Sequence, residues 1–216
     1  MTLLRVDSSI RTEGSVSREV ADSLEEAWSR RHPGPVVRRD LGRDPLPAEA
    51  WAAAVTAGYT PEAARSPQQR AAVAFATGLA DEVLAADAIV VAAPLYNFGV
   101  PQHLRTWIDL LITDPRLGPG TTPLAGRPLA LVIARGGGYG PGTPRAGWDH
   151  STPYLRQIFG AVFGADVTVV EAELTLASVV PAMASLVPEA DRLRVRAHEL
   201  AAETGRALAE RAAVAA

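Results

Sequence analysis

Ala88-Ile89-Val90-Val91-Ala92-Ala93-Pro94-Leu95-Tyr96-Asn97-Phe98-Gly99 is the stretch that decides the fold. An unbroken apolar run with no polar alternation is what a parallel strand buried on both faces requires. The run stops at Pro94 and gives way to aromatic and amide side chains. Beyond them, residues 100–112 place Leu104, Trp107, Ile108 and Leu111 on one face of a helix. The order is strand, loop, helix.

The same unit recurs on either side. Downstream, residues 129–134 repeat the buried-strand pattern and empty into Arg135-Gly136-Gly137-Gly138-Tyr139-Gly140-Pro141-Gly142, with a helix near 152–163, a strand near 167–174 and a terminal helix over about 189–212. Upstream, residues 3–6 form a short strand, the polar stretch 7–17 a loop, and a helix runs to about Arg31. A second strand spans 36–41. Residues 42–66, rich in Pro, Ala and acidic residues without a clean period, read as a long connection that partly covers a site, and residues 68–86 carry Val73, Phe75, Leu79, Val83 and Leu84 at helical spacing. Strands alternating with helices predict an α/β protein: a five-stranded parallel sheet in a three-layer sandwich, with helices on both faces. Residues 1–216 read as a single domain.

Composition removes several chemistries. Cysteine is absent, which excludes disulfides, thiolate metal sites and a cysteine nucleophile. Lysine is absent too, so Schiff bases and the lysine-bearing phosphate loop are excluded. A net charge of -3 without clustered cations gives no nucleic-acid surface. No apolar run approaches the ~18–20 residues that span a bilayer, and the N-terminus lacks the pattern of a signal peptide. The expected location is the cytoplasm. His32, His103, His150 and His198 show no metal-ligand spacing, and His32 and His198 are expected on helix surfaces. The sequence has no G-x-S-x-G and no Ser-x-x-Lys.

In open parallel sheets, ligands bind beyond the carboxyl ends of the strands, where the strand order reverses. The distinctive loops here all follow strands. Ser8, Ser9, Arg11, Ser15 and Ser17 surround a helix entry, where free backbone N–H groups and the positive dipole end favour a phosphate. The alternative is that Ser15 or Ser17 is simply an N-cap. Tyr96 and Phe98 offer apolar walls to a flat ring and Asn97 a donor and an acceptor, although either aromatic would also serve to close the core. The glycines after Arg135 permit close approach of a planar ligand, or merely a turn.

Ser8-Ser9-Ile10 followed by Gly14-Ser15-Val16-Ser17, then Ala93-Pro94-Leu95-Tyr96-Asn97-Phe98, Ala134-Arg135-Gly136-Gly137 and Thr152-Pro153-Tyr154-Leu155, closely resembles the FMN-dependent NADH azoreductases, also described as NADH:quinone oxidoreductases. The resemblance runs from Met1 to about Glu173. It implies a flavodoxin-like fold in which Ser9, Ser15 and Ser17 hold the FMN phosphate beside Ile10, Arg11 and Val16. Pro94, Leu95, Tyr96, Asn97 and Phe98 would line the isoalloxazine, with Ala134, Arg135, Gly136 and Gly137 at its pyrimidine side. It also implies a homodimer and a ping-pong cycle, with NADH or NADPH as donor and a quinone or azo compound as acceptor.

The chain departs from that family in places. Residues 113–128 lack the aromatics that roof the flavin in relatives, and Ala134 replaces a serine. Tyr139 stands about where many members place a histidine, and an insertion over 140–150 adds Tyr139 and Trp148 as replacement walls and acceptor contacts; His150 in that loop either donates a proton to the acceptor or serves the loop's structure, the latter being the plainer role. Rival readings are a flavin reductase serving a partner enzyme, a dedicated biosynthetic reductase of a quinonoid intermediate, and a flavodoxin-type electron carrier.

Overall fold

A computed structural model describes residues 1–215. Five parallel strands, β1 (Leu3–Asp7), β2 (Val36–Asp40), β3 (Ala88–Pro94), β4 (Pro128–Ala134) and β5 (Asp166–Ala172), lie in the order β2-β1-β3-β4-β5. The order reverses between β1 and β3, which are direct neighbours. Six helices flank the sheet: α1 (Val16–Arg31), α2 (Ala50–Gly58), α3 (Pro67–Ala85), α4 (Gln102–Thr113), α5 (Thr152–Arg156, continuing as a π-helix over Gln157–Val162) and α6 (Val187–Ala215).

Strand alternation divides the core into two layers. Leu4, Val6, Ile89, Val91, Leu129, Leu131 and Ile133 point into one layer, where Trp107 and Phe159 of α4 and α5 pack with rings 6.2 Å apart. Leu3, Val90, Val132 and Val170 point into the other, under α1 and α6 with Trp28. Both tryptophans are fully buried, and truncating either to Ala would cost about 3–5 kcal/mol. A Cβ on Gly205 would stand 2.2 Å from the Leu24 carbonyl oxygen. Only a glycine lets α6 approach α1 so closely.

Several expectations are corrected. Residues 42–66 are not a plain connection: they contain α2 and a 3-10 turn at Glu62–Ala64. Helix α2 buries Ala50, Ala53, Ala54 and Ala57, a 3–4 spacing written in residues too small to stand out against an alanine-rich background. β5 ends at Ala172, since Leu174 adopts a left-handed backbone (φ 57) that no strand tolerates. His32 and His198 are half-buried and not surface residues. His32 Nε2 lies 3.0 Å from the Ala209 carbonyl oxygen and His198 Nδ1 2.8 Å from Ser23 Oγ, so both tie α1 to α6.

Candidate functional site

The loops after β1, β3 and β4 meet at the reversal point of the sheet. Ser8 starts the first of them, its N–H and hydroxyl both donating to the Ala92 carbonyl at 3.0 and 2.9 Å. Ser9 Oγ then accepts from Arg11 N (3.2 Å) and lies 3.3 Å from the Tyr96 hydroxyl, which joins the first loop to the second. Ser15 takes the N-cap position of α1, yet its side chain makes no capping bond. Its hydroxyl lies 3.3 Å from that of Ser17, and both are buried. A plain cap would use that oxygen on the first-turn amides. Here the amides and two hydroxyls are left facing the loop, which is the donor set a phosphate requires.

Arg18, one turn along α1, fixes this loop from below. It donates to the carbonyls of Ser9 (2.9 Å) and Arg11 (3.1 Å) and pairs with both carboxyl oxygens of Asp40 at 2.6 Å. Asp40 accepts in turn from Gly42 N and Arg43 N. A Cβ on Gly42 would fall 2.0 Å from the Ser9 oxygen, so the chain after β2 presses directly on the cradle. Burial pushes the Asp40 carboxyl up, but Arg18 and the two amides outweigh it and hold it below its ordinary range. Burial pushes the neighbouring Asp7 above its range, against the pull of Arg5 and Arg18.

The second loop is a tight turn. Tyr96 and Gly99 exchange both backbone hydrogen bonds, at 3.3 and 2.9 Å, around Asn97 (φ 49) and Phe98 (φ 66). Two successive left-handed residues make an inverse turn that glycine would occupy without cost. Holding Phe98 there costs on the order of 1 kcal/mol or more. The turn leaves Asn97 and Phe98 exposed, while Tyr96 and Leu95 stay half-buried. Leu95 N donates to the Ala134 carbonyl at 2.8 Å, joining the second loop to the third.

In the third loop the Arg135 guanidinium is buried. It pairs with Asp149 (2.7 Å), Glu171 (2.6 Å) and Glu173 (2.9 Å) and donates to Thr152 Oγ1 (3.1 Å). The backbone runs on through Gly136, half-buried, and Gly137, buried. The carbonyls of Arg135, Gly136 and Gly137 accept from Thr175, Leu176 and Leu174, leaving the two glycine amides as what the loop can offer a ligand. A Cβ on Gly136 would lie 2.6 Å from Leu176 Cδ1. Arg135 Nε and Ser151 Oγ are buried without a protein partner. Asp149 also accepts from Ser151 N, Thr152 N and Thr152 Oγ1; these bonds and Arg135 outweigh its burial and hold its carboxyl below the ordinary range.

The stretch 138–150 folds over the second loop. His150 N donates to the Phe98 carbonyl at 2.9 Å, and Trp148 stacks edge-on against Phe98 at 5.6 Å. Tyr139 is half-buried and its N–H donates to Glu173 (3.0 Å), while the His150 ring is exposed. Ile10 and Arg11 are exposed, and Val16 half-buried, at the rim of the first loop.

The contacts Ser9–Tyr96 and Leu95–Ala134 thus join the three loops, while the Arg135 side chain is taken up by Asp149, Glu171 and Glu173. Sequence reading missed Arg18, Asp40 and Gly42, and the turn 174–177 that supports the third loop. Only Arg18 left a signal: a cation one turn into the helix that the serine loop opens.

The family model described as a flavodoxin-like fold matches residues 1–197. An FMN-dependent NADH:quinone oxidoreductase of Streptomyces avermitilis is 39% identical over 213 residues, covering 97% of this chain and 98% of that protein. One from Parafrankia sp. (strain EAN1pec) is 40% identical over 185 residues, covering 84% of this chain and 87% of that protein. Among solved structures, an azoreductase from Bacillus anthracis str. Sterne matches with a TM-score of 0.76 at 26% identity, over 95% of this chain and 99% of that one. An FMN-dependent NADH-azoreductase from Bacillus anthracis str. Ames Ancestor, solved in complex with FMN, shares the fold at a TM-score of 0.79 and 18% identity, over 97% and 100% of the two chains. The chain therefore belongs to the flavodoxin-like fold family, and within it to the group of the FMN-dependent NADH:quinone oxidoreductases.

Proposed function

We propose that this chain is an FMN-dependent oxidoreductase that takes a hydride from NADH or NADPH and delivers it, in a ping-pong cycle, to a quinone, azo compound or similar aromatic acceptor. The observation that carries the reading is the pair of buried hydroxyls, Ser15 and Ser17, which among the described residues have only each other as partners at the uncapped start of α1. Such a set is costly without an anion and fits a phosphate.

Ser9, Ser15 and Ser17 hold the phosphate, with the backbones of Ile10, Arg11 and Val16 beside it. Pro94, Leu95, Tyr96, Asn97 and Phe98 pack along the ring, and Asn97 supplies a hydrogen bond at its edge. The backbones of Ala134, Arg135, Gly136 and Gly137 meet the pyrimidine side. FMN, when bound, supplies the hydride chemistry; the chain binds, orients and shields it. No side chain acts as nucleophile. Tyr139, Trp148 and His150 form the acceptor side, in place of the aromatic roof missing from 113–128.

The enzyme works as a homodimer. Trp51 and Tyr59 of the α2 region are 46% and 88% exposed beside Ile112 and Thr113 of α4, an apolar face suited to a second copy. No helix among the described residues is long and apolar enough to cross a membrane, and we place the protein in the cytoplasm.

The test is an anaerobic absorbance titration with FMN, then NADH, then a quinone. Bleaching by NADH and recovery with quinone are expected. FMN binding without reduction by NADH would replace the reading with an electron carrier, and failure to bind FMN would end it.

A further inference from the structure

Between Gly136 and Ser151 the charged side chains are Arg145 and Asp149. Asp149 is the nearest acid to Arg145 along the chain, but its carboxylate is turned inward and fully engaged by Arg135, Ser151 and Thr152. Glu171 and Glu173 are drawn into the same clamp. The buried cation, Arg135, is thereby surrounded by three carboxylates. The exposed one, Arg145, has no ion-pair partner among the described residues.

Arg145 is nonetheless placed by the fold. Its guanidinium carbon lies 6.0 Å from the centroid of the Phe98 ring and 6.0 Å from that of Tyr139. Its Nη1 stands 3.0 Å from where a Cβ on Gly137 would be, so any residue larger than glycine there would displace it. Trp148, whose ring is edge-on to Phe98, donates its backbone N–H to the Arg145 carbonyl at 3.1 Å. An uncompensated guanidinium therefore sits between two aromatic rings, Phe98 and Tyr139, directly against the third loop and over the second.

A guanidinium binds carboxylate and sulfonate through paired hydrogen bonds, and it binds aromatic faces as well. We infer that Arg145 selects acceptors carrying an anionic substituent, an aromatic carboxylate or sulfonate, with Phe98, Tyr139 and Trp148 flanking the ring system. This rests on the flavin-oxidoreductase reading and narrows its acceptor to anionic aromatics.

The experiment compares naphthoquinone sulfonate with unsubstituted naphthoquinone as acceptors of the FMN-loaded protein, measuring kcat/KM for each in wild type, Arg145→Gln and Arg145→Lys. Arg145→Gln is expected to lower the sulfonated-to-neutral ratio by about tenfold, the scale of one charge-assisted hydrogen bond at a half-open site. Arg145→Lys keeps the charge but not the fork and should lie between. In wild type the ratio should shrink as ionic strength rises. A ratio unchanged by Arg145→Gln overturns the inference, as does an effect confined to kcat/KM for NADH, which would assign the charge to the donor. If NADH does not reduce the bound flavin at all, the parent reading fails instead, and the two failures are told apart in the first reaction mixture.

Discussion

Replacing Arg18 with Met keeps the aliphatic stem and removes four hydrogen bonds: two to Asp40 at 2.6 Å, one to the Ser9 carbonyl at 2.9 Å and one to the Arg11 carbonyl at 3.1 Å. The side chains of Arg18 and Asp40 are only 13% and 20% exposed. Their pairing therefore lies between an exposed ion pair, which contributes under ~1 kcal/mol, and a buried one, whose disruption costs ~3–5 kcal/mol. About 3 kcal/mol is the expected loss, which for a chain of this size corresponds to a Tm lower by about 6–12 °C. The pH dependence has a definite sign. Asp40 is held below its ordinary range, so its contribution is complete above pH ~4 and disappears as pH falls through its folded value. The difference in Tm between wild type and Arg18→Met should accordingly narrow in acid. Because the freed carbonyls belong to the serine loop, FMN affinity should fall about tenfold, through lost preorganisation, while riboflavin affinity changes little. Calorimetry across pH, with parallel titrations of FMN and riboflavin, tests both parts. Equal losses for the two flavins would show that Arg18 supports the fold without shaping the phosphate cradle. An unchanged Tm at neutral pH would refute the energetic argument itself.

Arg135→Met leaves Glu171, Glu173 and Asp149 without their shared cation, and should cost about 3 kcal/mol and speed hydrogen exchange over residues 138–150; slow exchange there would mean the clamp does not hold that loop. Gly205→Ala drives a methyl to 2.2 Å from the Leu24 carbonyl, and should lower Tm by about 10 °C or more; a neutral result would show that α6 can lift from α1 freely. Burial raises the Tyr154 phenol against the opposing influence of Arg105, so in ultraviolet titration it should ionise above the ordinary phenol range, and ionisation at or below pH ~10 would count against that environment.

The strands and the three loops were legible because each is written locally. β3 and β4 are continuous apolar runs, and the serines, the Tyr-Asn-Phe turn and the glycines sit directly at their ends. Helix α2 escaped notice because its buried face is made of Ala50, Ala53, Ala54 and Ala57, residues that carry helical preference but almost no contrast in hydrophobicity. The two arginine clamps were illegible for a different reason. Arg18 meets Asp40, and Arg135 meets Glu171, across separations that no periodicity encodes. Arg135 is the instructive case, since its place between Ala134 and Gly136 reads as a ligand contact until the fold supplies three acids on its far side. The same geometry gives Arg145 its significance, which depends on where Asp149 points and not on any local pattern.

The turn that holds Asn97 and Phe98 in left-handed conformations also sets two selections against each other. A library at position 98 sorted for heat resistance would enrich glycine, which takes that backbone without strain and gains about 1 kcal/mol. The same library sorted for acceptor turnover would enrich aromatics, since glycine deletes the ring against which Trp148 and Arg145 are arranged. Stabilising this protein by design is therefore best begun on the α1 and α6 side of the sheet, where gains in packing leave the edge that carries the loops untouched.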